Sequence, residues 1–354
     1  MINIALLGFG TIGSGTAEVL KRNAETCKAQ AGDEINVKYI LDLRDFPDSE
    51  FGDRVVHDYD IIVNDPEVKV VVEMMGGSHP AYEFSVAALK AGKSVVTSNK
   101  EVVANFGCEL LALAKENNVR YLFEASVGGG IPIIRAMTES LAGNEICEIN
   151  GILNGTTNYI LTQMRTYGKT MAEALKEAQE KGYAEANPDA DILGIDACRK
   201  ICILSALAFG ELVASDLVQT CGITEITTED VEKAEANGQA IKLVARAAKT
   251  PEGKLYMAVS PVAVNNDNPL STVNDVFNAV LVRGNTLGDV MFYGAGAGSL
   301  PTASAVVADI IDICRCLGNQ PSQQQWTKSE NVTSTMTEAQ KADYENRVGC
   351  PLYC

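Results

Sequence analysis

The chain opens on a glycine-rich loop whose position limits most of what can follow it. Gly8-Phe9-Gly10-Thr11-Ile12-Gly13 comes after the apolar run at residues 2–7 and leads into an amphipathic stretch at 11–22. Strand, GxGxxG turn and helix in that order make the phosphate-binding unit of a dinucleotide fold. The first glycine permits the tight turn, the second lets backbone approach a pyrophosphate, and the third lets the helix pack closely on the strand. The helix N-terminus then attracts the anion. The hexapeptide alone carries little. Its setting makes Gly8, Gly10, Thr11, Ile12 and Gly13 candidate cofactor contacts.

A ribose-reading acid belongs at the end of the second strand. Asp42 stands there, after the β-branched run at 35–41, with Arg44 two residues on. Asp42 favours NAD, and Arg44 is placed to pair with the extra phosphate of NADP. The residues leave both cofactors open, and a solvated turn accounts for them equally well.

The first 125 residues continue in the same rhythm. Strands are predicted at 2–7, 35–41, 68–72, 94–97 and 119–123, with a weaker one at 61–63. Helices are predicted at 11–22, 80–91 and 102–117. That alternation predicts an α/β domain with a parallel sheet covered on both faces. After Gly128-Gly129-Gly130 the elements lengthen. Helices are expected near 132–141, 159–166, 171–181, 192–207 and 228–249, with strands near 148–153, 255–261 and 279–283. A second glycine-rich stretch, Gly294-Ala295-Gly296-Ala297-Gly298, opens a last helix at 302–316.

Charge excludes some partners. The net charge of −17 repels nucleic-acid phosphates and anionic lipid, and no apolar run reaches the roughly 18 residues of a membrane span. The start has no basic region before its apolar run, which reads as a strand and not a signal peptide. The 10 cysteines form no CxxC pair, and the two histidines have no ligand spacing. Reduced thiols in a cytoplasmic protein are the simplest reading.

One block carries chemistry on its own residues. A loop marked by glycine, proline and acids, residues 182–191, leads into a helix bearing Asp196 and Lys200. Asp191 suits the helix N-cap. Asp196 and Lys200 are spaced i,i+4 and framed by Ile192, Leu193, Ala197, Ile203 and Leu204, so the pair is expected to be half-buried. A sheltered lysine steadied by a carboxylate can protonate the oxygen that gains charge when hydride reaches a carbonyl carbon. Lys100, after the strand at 94–97, stands where a Rossmann ligand crevice opens and is placed against nicotinamide or substrate.

Taken together, several segments resemble homoserine dehydrogenases. They are Gly8 to Gly13; Thr97-Ser98-Asn99-Lys100; Phe123-Glu124-Ala125-Ser126-Val127-Gly128-Gly129-Gly130-Ile131-Pro132; Gly151-Ile152-Leu153-Asn154-Gly155-Thr156-Thr157-Asn158-Tyr159-Ile160-Leu161; residues 182–200; and residues 294–309. They span nearly all of residues 1–318 in the family's order. The resemblance implies a Rossmann-type parallel-sheet domain at 1–126, joined by a returning helix at 299–318. It also implies an α+β dimerisation and substrate domain at 127–298. The implied reaction is reversible oxidation of L-homoserine to L-aspartate 4-semialdehyde with NAD or NADP, on the way to threonine and methionine. The implied assembly is a homodimer or higher homo-oligomer.

The resemblance also assigns roles. Lys200 becomes the proton donor, with Lys100 and Asp196 beside it in catalysis. Glu185, Asp191 and Asp196 become substrate contacts. Thr97, Lys100, Gly182 and Gly298 join the cofactor contacts. A sodium-type ion is implied on Glu124 and the backbone of Val127, Gly129 and Ile131; a hydrogen-bonded turn without metal is the competing account. One departure stands out: the family has an arginine just before the aspartate that ends the second strand, and here Leu41 precedes Asp42. Residues 319–354 read as a polar tail, too short to make an effector-binding domain, so threonine control through a C-terminal domain is not expected. Two rivals remain: an NAD(P)-linked oxidoreductase for another small amino acid or semialdehyde, and a non-catalytic dinucleotide sensor. The sensor would have no need of the Asp196/Lys200 pair.

Overall fold

Central strands buried on both faces build the first half of a computed structural model that describes residues 1–250, 252–317 and Ala342. Six parallel strands, β1 (Ile2–Leu7), β2 (Ile35–Leu41), β3 (Val55–Val56), β4 (Val68–Glu73), β5 (Ser94–Thr97) and β6 (Tyr121–Leu122), lie in the order β3-β2-β1-β4-β5-β6. Odd and even residues of the central strands feed opposite cores. Ala5, Leu7, Val71 and Val95 face one layer, and Ile4, Leu6, Val70, Val72 and Val96 face the other. The order reverses between β1 and β4. That switch point opens a crevice beyond the strands' carboxyl ends.

The helices of this half are α1 (Thr11–Arg22), α2 (Ala24–Ala31), α3 (Tyr59–Val63), α4 (Ala81–Lys90) and α5 (Lys100–Glu116). Residues 61–63, read as a weak strand, belong to α3, because the Asp58 side chain accepts the Asp60 N–H and caps a helical turn.

Next in the chain come α6 (Ile133–Arg135), α7 (Gly155–Tyr167), α8 (Met171–Glu180), α9 (Asp189–Ile192), α10 (Ile195–Phe209) and α11 (Thr228–Ala236). Strands β7 (Ile146–Ile152), β8 (Gln219–Thr220), β9 (Gln239–Lys249), β10 (Leu255–Asn265), β11 (Phe277–Gly284) and β12 (Gly288–Ala295) form a second sheet in the order β12-β11-β7-β9-β10-β8. It is antiparallel except where β8 joins β10.

The expected helix over 228–249 divides. α11 stops at Ala236, Gly238 takes φ +69°, and β9 pairs with β10 along all eleven of its residues. The expected helix at 132–141 is one α turn followed by a π turn at Ala136–Ser140. The helix expected over 192–207 breaks at Gly194 into α9 and α10. Gly294 and Ala295 end β12 and so stand outside the last helix, α12 (Ser299–Leu317). That helix packs Val306, Ile310 and Ile313 into the core beside β1 and β4. Apart from Ala342, the expected tail, with Cys350 and Cys354, lies outside the described residues.

Candidate active site

The glycine loop meets its steric demands residue by residue. Gly8 has φ +90°, and a Cβ on Gly13 would lie 2.0 Å from the Gly8 carbonyl oxygen, so neither tolerates a side chain. Around Gly10 there is open space, as a close-approaching phosphate needs. Thr11 and Ile12 begin α1. A cleft of about 570 Å³ beside the loop is lined by Gly8, Gly10, Asp42, Arg44, Met75 and Phe84, among others.

At its rim Asp42 accepts the Phe9 N–H (2.8 Å) and is gripped by Arg44, Nε to Oδ1 at 3.0 Å and Nη2 to Oδ2 at 3.1 Å. The guanidinium holds the Asp42 carboxyl down to about 2 against the opposing effect of burial. Sequence left Asp42 and Arg44 as alternative cofactor readers. In the fold they are one hydrogen-bonded unit.

The second constellation is assembled from three elements. Asp196 and Lys200 lie on α10, with Lys200 Nζ 2.7 Å from Asp196 Oδ2 and 2.8 Å from the Leu153 carbonyl. Lys100, the first residue of α5, brings its Nζ to 2.5 Å from Asp196 Oδ1, an ion contact without hydrogen-bond alignment. Asn154 caps α7 with its Oδ1, and its amide donates to Asp191 (2.7 Å) and Asp196 (3.0 Å). Asp191 is therefore not the α10 N-cap. It lies inside α9, Gly194 takes the cap position at φ +82°, and Asp191 is turned toward Asn154.

Asp196 and Lys200 are 4% and 9% exposed, more buried than the half-burial expected, because Leu153 and Asn154 close over them from a distant segment. Burial pushes Asp196 upward, but the ammoniums of Lys200 and Lys100 outweigh it and hold the carboxyl well below its usual range. Burial lowers Lys200, and Asp196 only partly restores it. Burial raises Asp191. Two of the three Lys200 N–H groups are engaged among the described residues, which leaves one for another oxygen.

Not every expected residue joins this cluster. Glu185 is exposed, and among the described residues its carboxylate pairs with no side chain. Gly182 follows α8 with φ +74°, and Gly298 precedes α12 with φ +118°. Glu124 is buried, accepting the backbone N–H groups of Ile134 and Arg135, both at 2.8 Å. Val127 and Ile131 are buried beside it. Gly129, at φ +55°, packs against the second glycine run, where a Cβ would meet the Gly296 oxygen at 2.5 Å.

Sequence reasoning passed over four participants: Asn154, the Leu153 carbonyl, Asp309 and Glu73. Asn154 did carry a signal, standing one residue before Gly155-Thr156-Thr157 as an N-cap. Asp309 accepts the Glu124 N–H and pairs with Arg135 at 2.8 Å, tying α12 to the turn after β6. Glu73, the last residue of β4, accepts from Thr97 Oγ1 (2.6 Å) and the Met75 N–H (2.7 Å).

A glycine turn at the switch point of a parallel sheet, with a buried lysine–carboxylate array nearby, defines an NAD(P)-dependent oxidoreductase. Comparison with known proteins narrows that class. Residues 8–124 match the homoserine dehydrogenase NAD-binding domain and residues 132–311 match homoserine dehydrogenase. The homoserine dehydrogenase of Neisseria gonorrhoeae is 46% identical over 321 residues, 89% of this chain and 72% of that protein. A homoserine dehydrogenase structure from Thiobacillus denitrificans superposes with a TM-score of 0.86 at 44% identity, covering 90% of this chain and 74% of that one. A hyperthermophilic archaeal homoserine dehydrogenase in complex with NADPH superposes with a TM-score of 0.75 at 34% identity, covering 88% and 97%. The chain belongs to the homoserine dehydrogenase family, and its activity is NAD(P)-dependent oxidation of homoserine, reversed in aldehyde reduction.

Proposed function

We propose that Lys200 is the proton donor and acceptor of this reaction, and the observation that carries the reading is its one unengaged N–H beside Asp196. The nicotinamide cofactor supplies or removes the hydride. As the aldehyde oxygen gains charge, the Lys200 ammonium stabilises it and gives up a proton; in the oxidative direction the amine takes the hydroxyl proton. Burial lowers the lysine's affinity for that proton, which eases its release to the aldehyde oxygen and makes the neutral amine available as a base for the oxidative direction. Asp196, held by Lys100 and Asn154, keeps the ammonium in place. Asp191, Asp196 and Glu185 supply negative charge for the substrate ammonium. A Lys200→Met variant that turns over at the wild-type rate would overturn the assignment.

Thr97, Gly182 and Gly298 take part in holding the cofactor, together with the loop from Gly8 to Gly13. A sodium-type ion belongs to the same reading. Each Glu124 oxygen accepts one amide and keeps a lone pair, and Val127, Gly129 and Ile131 bring carbonyls on the same turn. Raising sodium against choline at constant ionic strength tests it, with thermal midpoint as the readout. We assign the assembly as a homodimer built on the second sheet, whose exposed Tyr256 and Tyr293 present aromatic surface. Sedimentation velocity checks this.

A further inference from the structure

Glu73 is fully buried at the carboxyl end of β4, and among the described residues it forms no ion pair. Its hydrogen-bond partners are neutral donors. Thr97 Oγ1 accepts the Asn99 N–H at 2.9 Å, so its own hydrogen is free for Glu73 Oε2 at 2.6 Å. The Met75 N–H (2.7 Å) and the Asn99 amide (3.4 Å) both point at Oε1. Burial raises the Glu73 carboxyl above its ordinary value, and the Thr97, Met75 and Asn99 donors oppose that by favouring its ionised form. Around it lie Val71, Val72, Val95 and Val96, all 0% exposed. A negative charge in such surroundings, with no cation to cancel it, projects its field into the adjoining crevice.

The position of Glu73 gives that field a target. Asp42 ends β2 and the glycine loop ends β1, so a dinucleotide crossing the switch point has its other half over β4 and β5. Those strands end at Glu73 and Thr97, and Lys100 follows immediately. We propose that Glu73 makes the crevice select the oxidised, positively charged nicotinamide ring over the reduced, neutral one. This rests on the cofactor reading above. The ring changes charge by one unit when it gives or takes hydride, so a fixed negative charge nearby stabilises one redox form alone.

A role confined to shape makes a different prediction. Asn99 also donates to the Gly77 and Met75 carbonyls, at 2.7 and 3.3 Å, so the Glu73 network fixes the turn after β4. Loosening that turn would weaken both cofactor forms alike. The ratio of their affinities separates charge from shape.

The test measures Kd for NAD+, NADH, NADP+ and NADPH on the full chain, by calorimetry for the oxidised forms and by fluorescence for the reduced. Glu73→Gln is expected to shift the oxidised-to-reduced affinity ratio toward the reduced form by about five- to tenfold, the size expected of one poorly screened unit charge. Glu73→Asp keeps the charge while disturbing the hydrogen bonds, and is expected to hold the wild-type ratio even if both affinities fall. An unchanged ratio in Glu73→Gln overturns the proposal. So does a Glu73→Asp ratio shifted toward the reduced form, which can be read even if the glutamine variant does not fold. Wild-type protein that binds none of the four nucleotides would instead refute the cofactor reading.

Discussion

Charge placement decides the chemistry residue by residue. Lys200→Ala removes the proposed proton donor and leaves the glycine loop intact. Turnover should fall about 10²–10⁴-fold with cofactor Kd unchanged, and stopped-flow kinetics with parallel cofactor titration checks both. Asp196 is flanked by two ammoniums, so Asp196→Ala would leave like charges facing each other at a buried site. It should lower kcat and the thermal midpoint together, whereas Glu185→Ala, at an exposed carboxylate, should raise the KM for homoserine and leave the midpoint alone. At the cleft rim, Asp42 and Arg44 pair through two side-chain bonds, so each substitution frees the other residue. Asp42→Ala is expected to erode NAD use selectively and Arg44→Ala to erode NADP use. Equal losses on both cofactors would show that neither reads the ribose.

Among the elements, the same residues were legible to different degrees. The glycine loop and the Asp196/Lys200 pair could be read because their chemistry is local: six consecutive residues, and one helical turn. Lys100 was expected at the crevice, but its contact with Asp196 joins α5 to α10 across 96 residues of chain, and no periodicity encodes that. Glu73 stands just past the strand expected at 68–72 and drew no role, because only the neighbouring strand reveals what its carboxylate accepts. Residues 228–249 were misread because small alanines satisfy a helical and an alternating pattern equally until a partner strand arrives.

β9 also carries Lys242, 1% exposed, whose Nζ donates to the oxygens of Val273, Asn158 and Asn274. Burial first, then Arg165, pushes its amine down to about 8, while Asp275 opposes them. Above that value the folded lysine gives up a proton that the unfolded chain keeps until about 10.5. Stability from this group therefore rises with pH across that window, by about 3 kcal/mol at most. Urea melts at pH 8 and pH 10 should show the rise, and Lys242→Met should remove it.

Over the whole molecule, a cofactor crevice in one sheet has to meet a proton donor carried beside the other. Two adjacent residues of α5 make that connection: Lys100 reaches Asp196, and Glu101 Oε2 lies 3.2 Å from Arg199 Nη1. Ser78 donates to the other Glu101 oxygen at 2.9 Å, which fixes the carboxylate's orientation. On the proposed reading Lys100 takes part in the reaction, so its pairing with Asp196 is open to change as substrate arrives. The Glu101–Arg199 pair has no such duty and can keep α5 against α10 throughout. Both partners are about 30% exposed, 31% and 29%, so the pair should contribute little to global stability, no more than about 1 kcal/mol. Its effect on alignment should be larger, since a small displacement of Lys100 from Asp196 is felt directly in turnover. Glu101→Gln and Arg199→Met are each expected to lower kcat/KM for homoserine about tenfold, and the double variant should lose little more than either single one. Cofactor Kd should stay within twofold or so, because the glycine loop and Asp42 hang on the first sheet alone. Single variants that keep the wild-type kcat/KM would show the pair to be an ordinary surface ion pair, and a double variant whose losses multiply would show two side chains acting independently and not the clasp that aligns the two halves of the site.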